Sequence, residues 1–262
     1  TSETRIFPRV TMFKISAAII TFNEEKNLER CLESLTGVVD EIVVLDSFSS
    51  DRTQSIAETF EVKFYAQKFK GHIEQKNDAI DLTTHAMVLS LDADEALSPE
   101  LKASILTLKN GEAPTAAKMK RLTNYCGKWI RHSGWYPDKK IRLFNKAHAR
   151  WGGQNPHDTV LIDKGYEVLE LEGDLLHYSF YTKEQHIQQI HSFSDIASRA
   201  AFKKGKRSYF LTPYVKATAK FIKAYFIKQG ILDGKEGWQI STLSAWASYL
   251  RYVKLRNLNR ES

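Results

Sequence analysis

Four short apolar segments alternate with amphipathic segments in the first third of the chain, and this alternation restricts the fold more than any other feature. The apolar segments are residues 14–21, 41–45, 61–65 and 87–91. Each has the length of a strand, and the first intervening segment carries apolar residues at helical spacing, Leu28, Cys31, Leu32 and Leu35. Strands that alternate with helices through short loops are typical of a parallel sheet. The sequence therefore predicts an α/β fold with a mostly parallel sheet and helices on both faces.

The fourth apolar segment ends in two carboxylates, Asp92 and Asp94, which are separated by one residue. Side chains two positions apart on an extended segment point the same way, so both carboxylates can face one cation. Ligands bind at the carboxyl ends of the strands in open α/β sheets. The pattern predicts a divalent metal that also holds a diphosphate. The alternative is a surface turn whose acids cap the helix that starts at Ser98-Pro99-Glu100.

Other polar residues also gather where the predicted strands end. Glu24, Asp46, Ser47 and Asp92 follow or terminate strands, and Asn23 is expected to cap the helix after the first strand. Because the carboxyl ends of parallel strands share one sheet edge, these side chains predict a nucleotide site. The glycine-rich phosphate loops of the dinucleotide-binding and P-loop proteins do not follow the first strand. The phosphate charge is therefore expected to be met by a metal and by Lys76.

A lone cation on a later apolar strand supports the same interpretation. Arg142 lies in the run Ile-Arg-Leu-Phe, where burial of a guanidinium requires an anionic partner. Either a carboxylate of the site or the phosphates of a donor would meet that requirement.

The net charge of +7 is concentrated at the carboxyl-terminal end of the 262-residue chain. From Arg199 to Ser262 there are 14 Lys and Arg against 3 Asp and Glu, which leaves a balance of −4 for residues 1–198. Lys216, Lys220 and Lys223 alternate there with aromatic residues, a pattern typical of helices that lie on anionic membranes. The alternative is a helix that packs on the catalytic domain with a solvated basic face. A nucleic-acid role is not expected, because no recognition motif accompanies the basic residues.

Length and composition predict one large α/β domain with an appendage. Residues 1–13 are expected to be a flexible leader, residues 14–180 a catalytic domain, and residues 181–262 a helical region. Within the catalytic domain, residues 14–95 would bind the nucleotide and residues 96–180 the acceptor. No apolar run approaches the roughly 20 residues of a membrane-spanning helix, so an integral membrane protein is not expected.

Several motifs together resemble one enzyme family. They are Ile-Thr-Phe-Asn-Glu-Glu at 20–25, Val-Val-Leu-Asp-Ser-Phe-Ser-Ser-Asp-Arg-Thr at 43–53, Gln-Lys-Asn at 75–77 and Leu-Asp-Ala-Asp-Glu at 91–95. These segments resemble the family 2 glycosyltransferases, which have the Rossmann-like GT-A fold. Segments at 129–138, 142–144 and 173–178 resemble the bacterial branch that adds glucose to the lipopolysaccharide inner core.

The resemblance implies roles for individual residues. Asp158 corresponds to the acid, usually glutamate in the family, that acts as the base toward the acceptor hydroxyl; otherwise it is a turn residue. His177 would complete a metal shell with Asp92 and Asp94; otherwise it is structural. Gly134, Trp135 and Tyr136 would form a wall beside the donor sugar and the acceptor; otherwise Trp135, like Trp129 and Trp151, is a core residue. The residues expected to contact the nucleotide-sugar are Thr21, Asn23, Glu24, Asp46, Ser47, Lys76, Asp92 and Arg142.

The resemblance also implies an activity and a location. The expected enzyme is an inverting hexosyltransferase that uses Mg²⁺ or Mn²⁺ and a nucleotide-sugar, with UDP-glucose as the expected donor. Its acceptor would be a lipopolysaccharide or lipooligosaccharide core, and it would bind peripherally to the cytoplasmic face of the inner membrane. The alternatives are a capsular, exopolysaccharide or lipid-carrier-linked acceptor, or a non-catalytic module that binds a sugar-nucleotide or a membrane.

Overall fold

The structure, a computed structural model, describes residues 12–154 and 157–261. Almost all of the expected leader, residues 1–13, lies outside the described residues. The chain forms two compact units. Unit 1 contains residues 12–121 and Lys139–His177, and unit 2 contains Leu122–Asp138 and residues 178–261. Residues 122–138, which the sequence analysis assigns to the acceptor half, thus cluster with the carboxyl-terminal helices.

Unit 1 contains the alternating strands and helices. Its strands are β1 (Ile15–Thr21), β2 (Glu41–Asp46), β3 (Lys63–Ala66), β4 (Met87–Asp92), β5 (Glu95–Leu97), β8 (Asp138–Asn145), β9 (Ala149–Gln154) and β10 (His157–Ile162). Its helices are α1 (Leu28–Leu35), α2 (Thr53–Ala57), α3 (His72–Asp81) and α4 (Pro99–Lys109). Strands β6 (Ala116–Tyr125) and β11 (Val168–Phe180) begin in unit 1 and end in unit 2.

The main sheet has the strand order β3-β2-β1-β4-β8-β6-β11-β5. Strand β1 pairs in parallel with both β2 and β4, and β2 pairs in parallel with β3. Antiparallel pairs join β4 to β8 and β5 to β11, while β9 and β10 form a separate antiparallel hairpin. The predicted α/β fold with a parallel sheet is confirmed, and the later strands extend it in antiparallel fashion.

Helices cover both faces of the parallel strands, as predicted. Alternate side chains of β1 enter different cores: Ile15, Ala17 and Ile19 pack with α1, α2 and α4, whereas Ala18 packs with Ala79 and Ile80 of α3. This follows from the two-residue side-chain period of a strand. Burial on both faces explains why β1, β2 and β4 are mostly apolar, whereas the edge strand β3 carries Lys63 and is largely exposed.

The helix caps differ in part from the prediction. Helix α4 begins as expected, because Ser98 Oγ accepts a hydrogen bond from the Leu101 backbone N–H at 3.2 Å and Pro99 occupies the first turn. The acids at 92–95 are therefore not needed as caps for this helix. The expected cap at Asn23 is wrong: α1 begins at Leu28, and Asn23 bonds to a neighbouring loop instead.

Unit 2 is mainly helical. It contains β7 (Lys128–Ile130), α5 (Lys183–Lys203), α6 (Thr212–Ile222), a π-helical turn (Lys223–Ile227), a 3₁₀ turn (Gly230–Asp233) and α7 (Gly234–Glu261). Thr182 and Gln185 form a capping box at the start of α5. Its core includes Tyr125, Ile130, Phe180 and Ile240. Among the helices that the structure describes, none combines the length and apolar character that crossing a bilayer requires.

Candidate active site

The strands β2, β1 and β4 end at nearly the same level, which places their terminal polar residues along one sheet edge. Thr21 is opposite Asp46 in the β1–β2 ladder, and Asp92 is opposite Ile20 in the β1–β4 ladder. Thr21 Oγ1 donates a hydrogen bond of 2.8 Å to Asp46 Oδ1. The parallel arrangement therefore brings together residues that are far apart in sequence.

The loops after β1 and β2 brace each other through the predicted donor-site residues. Ser49 donates to Asp46 from its backbone N–H at 2.7 Å and from its hydroxyl at 2.6 Å. The Asn23 N–H donates to Ser49 Oγ, and Asn23 Oδ1 accepts from the Ser50 N–H. Ser47 Oγ accepts a 3.1 Å hydrogen bond from Gln75 on α3. Asp46 and Ser47 thus hold the loop geometry.

Glu24 lies in a region of concentrated negative charge. Its backbone N–H donates to Thr53 Oγ1 at 2.8 Å, and its carboxyl group accepts from Asn27 Nδ2 at 2.8 Å. Burial raises the pKa of Glu24 to about 7, and repulsion by Asp94 and Asp92 adds to this rise. A cation bound among these acids would relieve their mutual repulsion.

Lys76 joins the end of β4 to the β9–β10 hairpin. Its Nζ lies 2.9 Å from Asp92 Oδ1 and 2.8 Å from Asp158 Oδ2, and the lysine is only 5% exposed. The same ammonium lies 4.2 Å from the ring centroid of Trp151, which is within cation–π range. One buried cation thus connects two carboxylates that the sequence analysis assigns to donor binding and to base catalysis.

Arg142 forms the second buried cation of this cluster. Its Nε and Nη2 atoms donate to both carboxylate oxygens of Glu95 at 2.9 and 2.8 Å, and Nη2 also lies 3.2 Å from Asp92 Oδ2. Glu95 is fully buried and accepts a further hydrogen bond from the Asp92 backbone N–H. The requirement of Arg142 for an anionic partner is therefore met by two carboxylates of the protein.

These cations determine the ionisation of Asp92. Burial opposes the charged form, but Lys76 and Arg142 hold the pKa of Asp92 well below its usual range. Burial likewise opposes the charge of Arg142, and Glu95 with Asp92 nevertheless raises the pKa of the guanidinium. Asp92 therefore remains a carboxylate across the physiological pH range.

The sequence assigns no role to Glu95, and it does not indicate that Trp151 contacts Lys76. Trp151 is 5% exposed, donates from Nε1 to Ser90 Oγ at 2.9 Å, and is fixed through its backbone by Asn77 of α3. It thereby anchors the hairpin strand opposite Asp158. The sequence signals for Glu95 are its place in the motif at 91–95 and the need of Arg142 for an anionic partner.

Asp94 lies beyond the end of β4, in the turn that precedes β5. The side-chain alternation of an extended strand therefore does not apply to it. Asp94 Oδ2 lies 3.2 Å from His177 Nε2, and both side chains are partly buried. The structure brings the two predicted ligands Asp94 and His177 together, while Asp92 contacts Lys76 and Arg142.

The donor set of Asp94 and His177 suits a divalent cation. A carboxylate oxygen and an imidazole nitrogen are both ligands of Mn²⁺. Within residues 12–154 and 157–261, no group of three His, Cys, Asp or Glu side chains is arranged to hold a metal. Mg²⁺ at phosphate-transfer sites commonly takes only one or two protein carboxylates and completes its shell with water and substrate phosphates. Asp92 as a metal ligand stays a prediction.

The predicted sugar wall lies in unit 2. Gly134 has a φ of +79°, Trp135 packs edge-on to Tyr125 at a centroid distance of 5.7 Å, and Tyr136 lies 5.5 Å from the guanidinium of Arg131. The carboxylate of Asp233 fixes the preceding turn by accepting from the backbone N–H groups of Arg131 and His132. The assignment of these three residues to a wall stays a prediction.

Unit 1 contains the groups that a reaction with a phosphate leaving group requires. It combines a carboxylate and an imidazole able to bind a cation, a buried ammonium, and the separate carboxylate of Asp158 held at 2.8 Å from that ammonium. The ammonium, and a cation bound by the carboxylate and the imidazole, would stabilise negative charge that develops on a leaving group.

Comparison with known proteins identifies the family. The model of the family described as "Glycosyl transferase family 2" matches residues 16–167, which is more than half of the chain. An uncharacterised glycosyltransferase of Rickettsia typhi is 32% identical over 96% of this chain and 89% of that protein. The lipopolysaccharide core biosynthesis glycosyltransferase LpsC of Rhizobium meliloti is 23% identical over 91% of this chain and 93% of its own length.

A solved structure shows a partial likeness. Glucosyl-3-phosphoglycerate synthase from Mycobacterium tuberculosis, crystallised with Mn²⁺, UDP and phosphoglyceric acid, is 25% identical with a TM-score of 0.35. The match covers 43% of this chain and 44% of that chain. The α/β sheet, the family motifs at the ends of its strands and the match over residues 16–167 together show that the chain belongs to glycosyltransferase family 2.

Proposed function

We propose that this protein is a hexosyltransferase that transfers glucose from UDP-glucose to a lipopolysaccharide or lipooligosaccharide core acceptor. The observation that carries the proposal is the joint contact of Lys76 with Asp92 and Asp158, which brings the donor-side acid and the candidate base together. The acceptor class is supported by similarity to LpsC, whose name assigns it to lipopolysaccharide core biosynthesis.

The proposed reaction is a single displacement that inverts the anomeric configuration. The acceptor oxygen forms a bond to the anomeric carbon, and the bond from that carbon to the diphosphate oxygen breaks with its electron pair. Asp158 takes the proton of the acceptor hydroxyl, because a carboxylate opposite the leaving group can act as a general base. Lys76 orients Asp158 at 2.8 Å and supplies positive charge near the leaving diphosphate.

Asp94 and His177 would hold the divalent metal. When bound there, the metal would neutralise negative charge that develops on the departing diphosphate. Asp92 would keep Lys76 and Arg142 in place through its two oxygens. Thr21, Asp46 and Ser47 would maintain the loops that receive the nucleoside.

We further propose that unit 2 attaches the enzyme to the cytoplasmic face of the bacterial inner membrane. Residues 199–262 of unit 2 contain 14 Lys and Arg against 3 Asp and Glu, and several large apolar side chains of unit 2 are exposed. The most exposed of them are Tyr209, Phe210, Leu211, Val215, Ile227 and Leu232. Apolar side chains beside lysines favour peripheral binding to anionic bilayers.

The direct test is a transfer assay with the purified chain. UDP-, GDP- and dTDP-sugars would be combined with a deacylated lipopolysaccharide core oligosaccharide, with and without Mn²⁺. We expect transfer of glucose from UDP-glucose to exceed transfer from every other donor. Binding of nucleotides without turnover of any donor would instead indicate a non-catalytic module.

A further inference from the structure

A groove in unit 2 is not used by the proposed chemistry. It has a volume of about 710 Å³ and lies among helices α5, α6 and α7 and the π-helical turn. Its apolar lining includes Trp135, Ile190 and Phe193. A groove of this volume falls within the range of small-molecule binding sites.

The charge of this groove is entirely of one sign. Lys216, Lys220, Lys223 and Arg251 line it, and no Asp or Glu is among its lining residues. None of the four forms a salt bridge with any residue in the described part of the chain. The Nε atom of Arg251 is buried and has no hydrogen-bond partner among the described residues. Four cations beside an apolar lining are complementary to an anion that carries a hydrocarbon part.

The position of the lysines on α6 indicates which kind of anion fits. Residues 216, 220 and 223 share one face of the helical segment, because they recur at spacings of four and three. Val215 and Ile222 each precede one of these lysines, and they are 62% and 45% exposed. A step of one residue rotates a helix by about 100°, so an exposed apolar stripe runs beside the cationic face. An apolar stripe beside cations is the pattern of helices that lie in the bilayer interface.

We propose that this groove binds the phosphate headgroup of an anionic glycerophospholipid, while the exposed stripe of α6 lies in the bilayer interface. The lysines and Arg251 contact the phosphate, and the apolar lining receives the first part of an acyl chain. The proposal deepens the proposed membrane attachment and is independent of glycosyl transfer. It differs from diffuse attraction because it assigns the interaction to one set of residues.

The test uses the full chain and a soluble short-chain phosphatidylglycerol below its micelle concentration, with calorimetric titration as the readout. Short-chain phosphatidylcholine and inorganic phosphate are the two comparison ligands. We expect phosphatidylglycerol to bind at least about tenfold more tightly than either, since only it combines net negative charge with acyl chains. Equal binding of inorganic phosphate would overturn the proposal in favour of a free-phosphate site.

Two matched variants assign the binding to the groove. Lys216→Gln with Lys220→Gln is expected to weaken phosphatidylglycerol binding by about tenfold or more. Lys203→Gln with Lys204→Gln removes the same charge from an exposed part of unit 2 outside the groove, and it should leave this affinity unchanged. Equal losses in both double variants would show diffuse attraction and contradict the proposal.

A third variant separates shape from charge. Ala219 lines the groove, so Ala219→Phe narrows it without changing the net charge. We expect this variant to lose binding to the short-chain lipid and to co-sediment less with vesicles that contain phosphatidylglycerol. Unchanged binding of Ala219→Phe, with the fold verified by circular dichroism, would refute a site in the groove. UDP-glucose turnover without lipid, measured in parallel, reports on the proposed transferase activity separately.

Discussion

At the scale of single residues, the candidate site depends on buried ion pairs that join distant parts of the sequence. The sequence predicts that Arg142 needs an anion, but it does not indicate which acid supplies it. Glu95 is separated from Arg142 by 47 positions, and Asp158 from Lys76 by 82. No periodicity relates residues so far apart. The residue types were therefore predictable, whereas their pairing required the fold.

Glu95→Gln tests the buried pair with Arg142. The amide keeps the shape of the side chain but leaves the guanidinium without its main counter-charge. Because Glu95 is fully buried, we expect the free energy of unfolding, measured in urea, to fall by about 3 kcal/mol. Glu170→Gln, which breaks exposed contacts with Lys139 and Lys118, should lower the free energy of unfolding far less than Glu95→Gln does, because solvent screens exposed ion pairs. Equal losses in the two variants would contradict the role of Glu95.

Asp158→Asn tests the assignment of the base. The change removes the basic oxygen while keeping the side-chain volume, so the rate of sugar transfer should fall by about 100-fold or more. UDP affinity should not fall, because the base contacts the acceptor and Lys76 keeps its positive charge and its contact with Asp92. Asp163→Asn, just beyond the end of β10, is the control and should retain full activity. An unchanged transfer rate in Asp158→Asn would remove this residue from the base role.

At the scale of elements, the strands and helices were easier to predict than their ends. The continuous apolar runs and the Ser98-Pro99 start of α4 are local signals, and the structure agrees with them. The end of β4 at Asp92 is set by the turn into β5, which pairs with β11. That pairing is a long-range contact, so no local sequence signal indicates that Asp94 leaves the strand. The orientation of Asp94 toward His177 follows from this turn.

Gly173→Ala tests the packing of β11 on α4. Gly173 has a φ of +91°, and a Cβ atom there would lie 2.2 Å from the backbone nitrogen of Leu101. The backbone of α4 cannot yield without losing its cap, so we expect a loss of about 3 kcal/mol in the free energy of unfolding. Gly165 has a similar φ of +92° in open space, and Gly165→Ala should cost only about 1 kcal/mol. A loss in Gly173→Ala no larger than the loss in Gly165→Ala would contradict the close approach of β11 to α4.

The core of unit 2 contains a histidine whose burial makes stability depend on pH. His186 stacks on Phe180, its Nδ1 lies 3.2 Å from Tyr125 Oη, and burial lowers its pKa to about 4. The unfolded chain then binds a proton at higher pH than the folded chain. The burial of neutral His186 therefore does not change the pH dependence of stability above about pH 6.5. As the pH falls from there toward 4, it progressively lowers the free energy of unfolding.

His186→Phe measures that contribution. Between pH 7 and pH 4, the free energy of unfolding of the native sequence should fall by about 2 kcal/mol more than that of the variant. Phe keeps the stacking partner of Phe180 but cannot take up a proton. Parallel pH profiles for the two proteins would show that His186 is not held in its neutral form.

At the scale of the whole molecule, the sequence predicts an α/β region followed by a helical region with a net positive charge, and the order of the strands and helices agrees with this. It did not indicate that Leu122–Asp138 clusters with the terminal helices, because that clustering depends on contacts such as Lys128 with Asp233, 105 positions away. The family motifs at 20–25, 43–53 and 91–95 lie at the carboxyl ends of β1, β2 and β4, and the motif at 75–77 lies on α3, whose Lys76 contacts Asp92 at the end of β4. The donor site is therefore expected at the sheet edge where β1, β2 and β4 end.

Calorimetric titration of UDP with and without Mn²⁺ tests that claim most directly. The native sequence and the control Asp163→Asn should bind UDP tightly only when Mn²⁺ is present. Asp94→Asn should lose at least about tenfold in this Mn²⁺-dependent affinity, because it removes a metal-binding oxygen. If Asp94→Asn instead binds UDP as tightly as the native sequence, with the same dependence on Mn²⁺, the donor site does not lie at the end of β4.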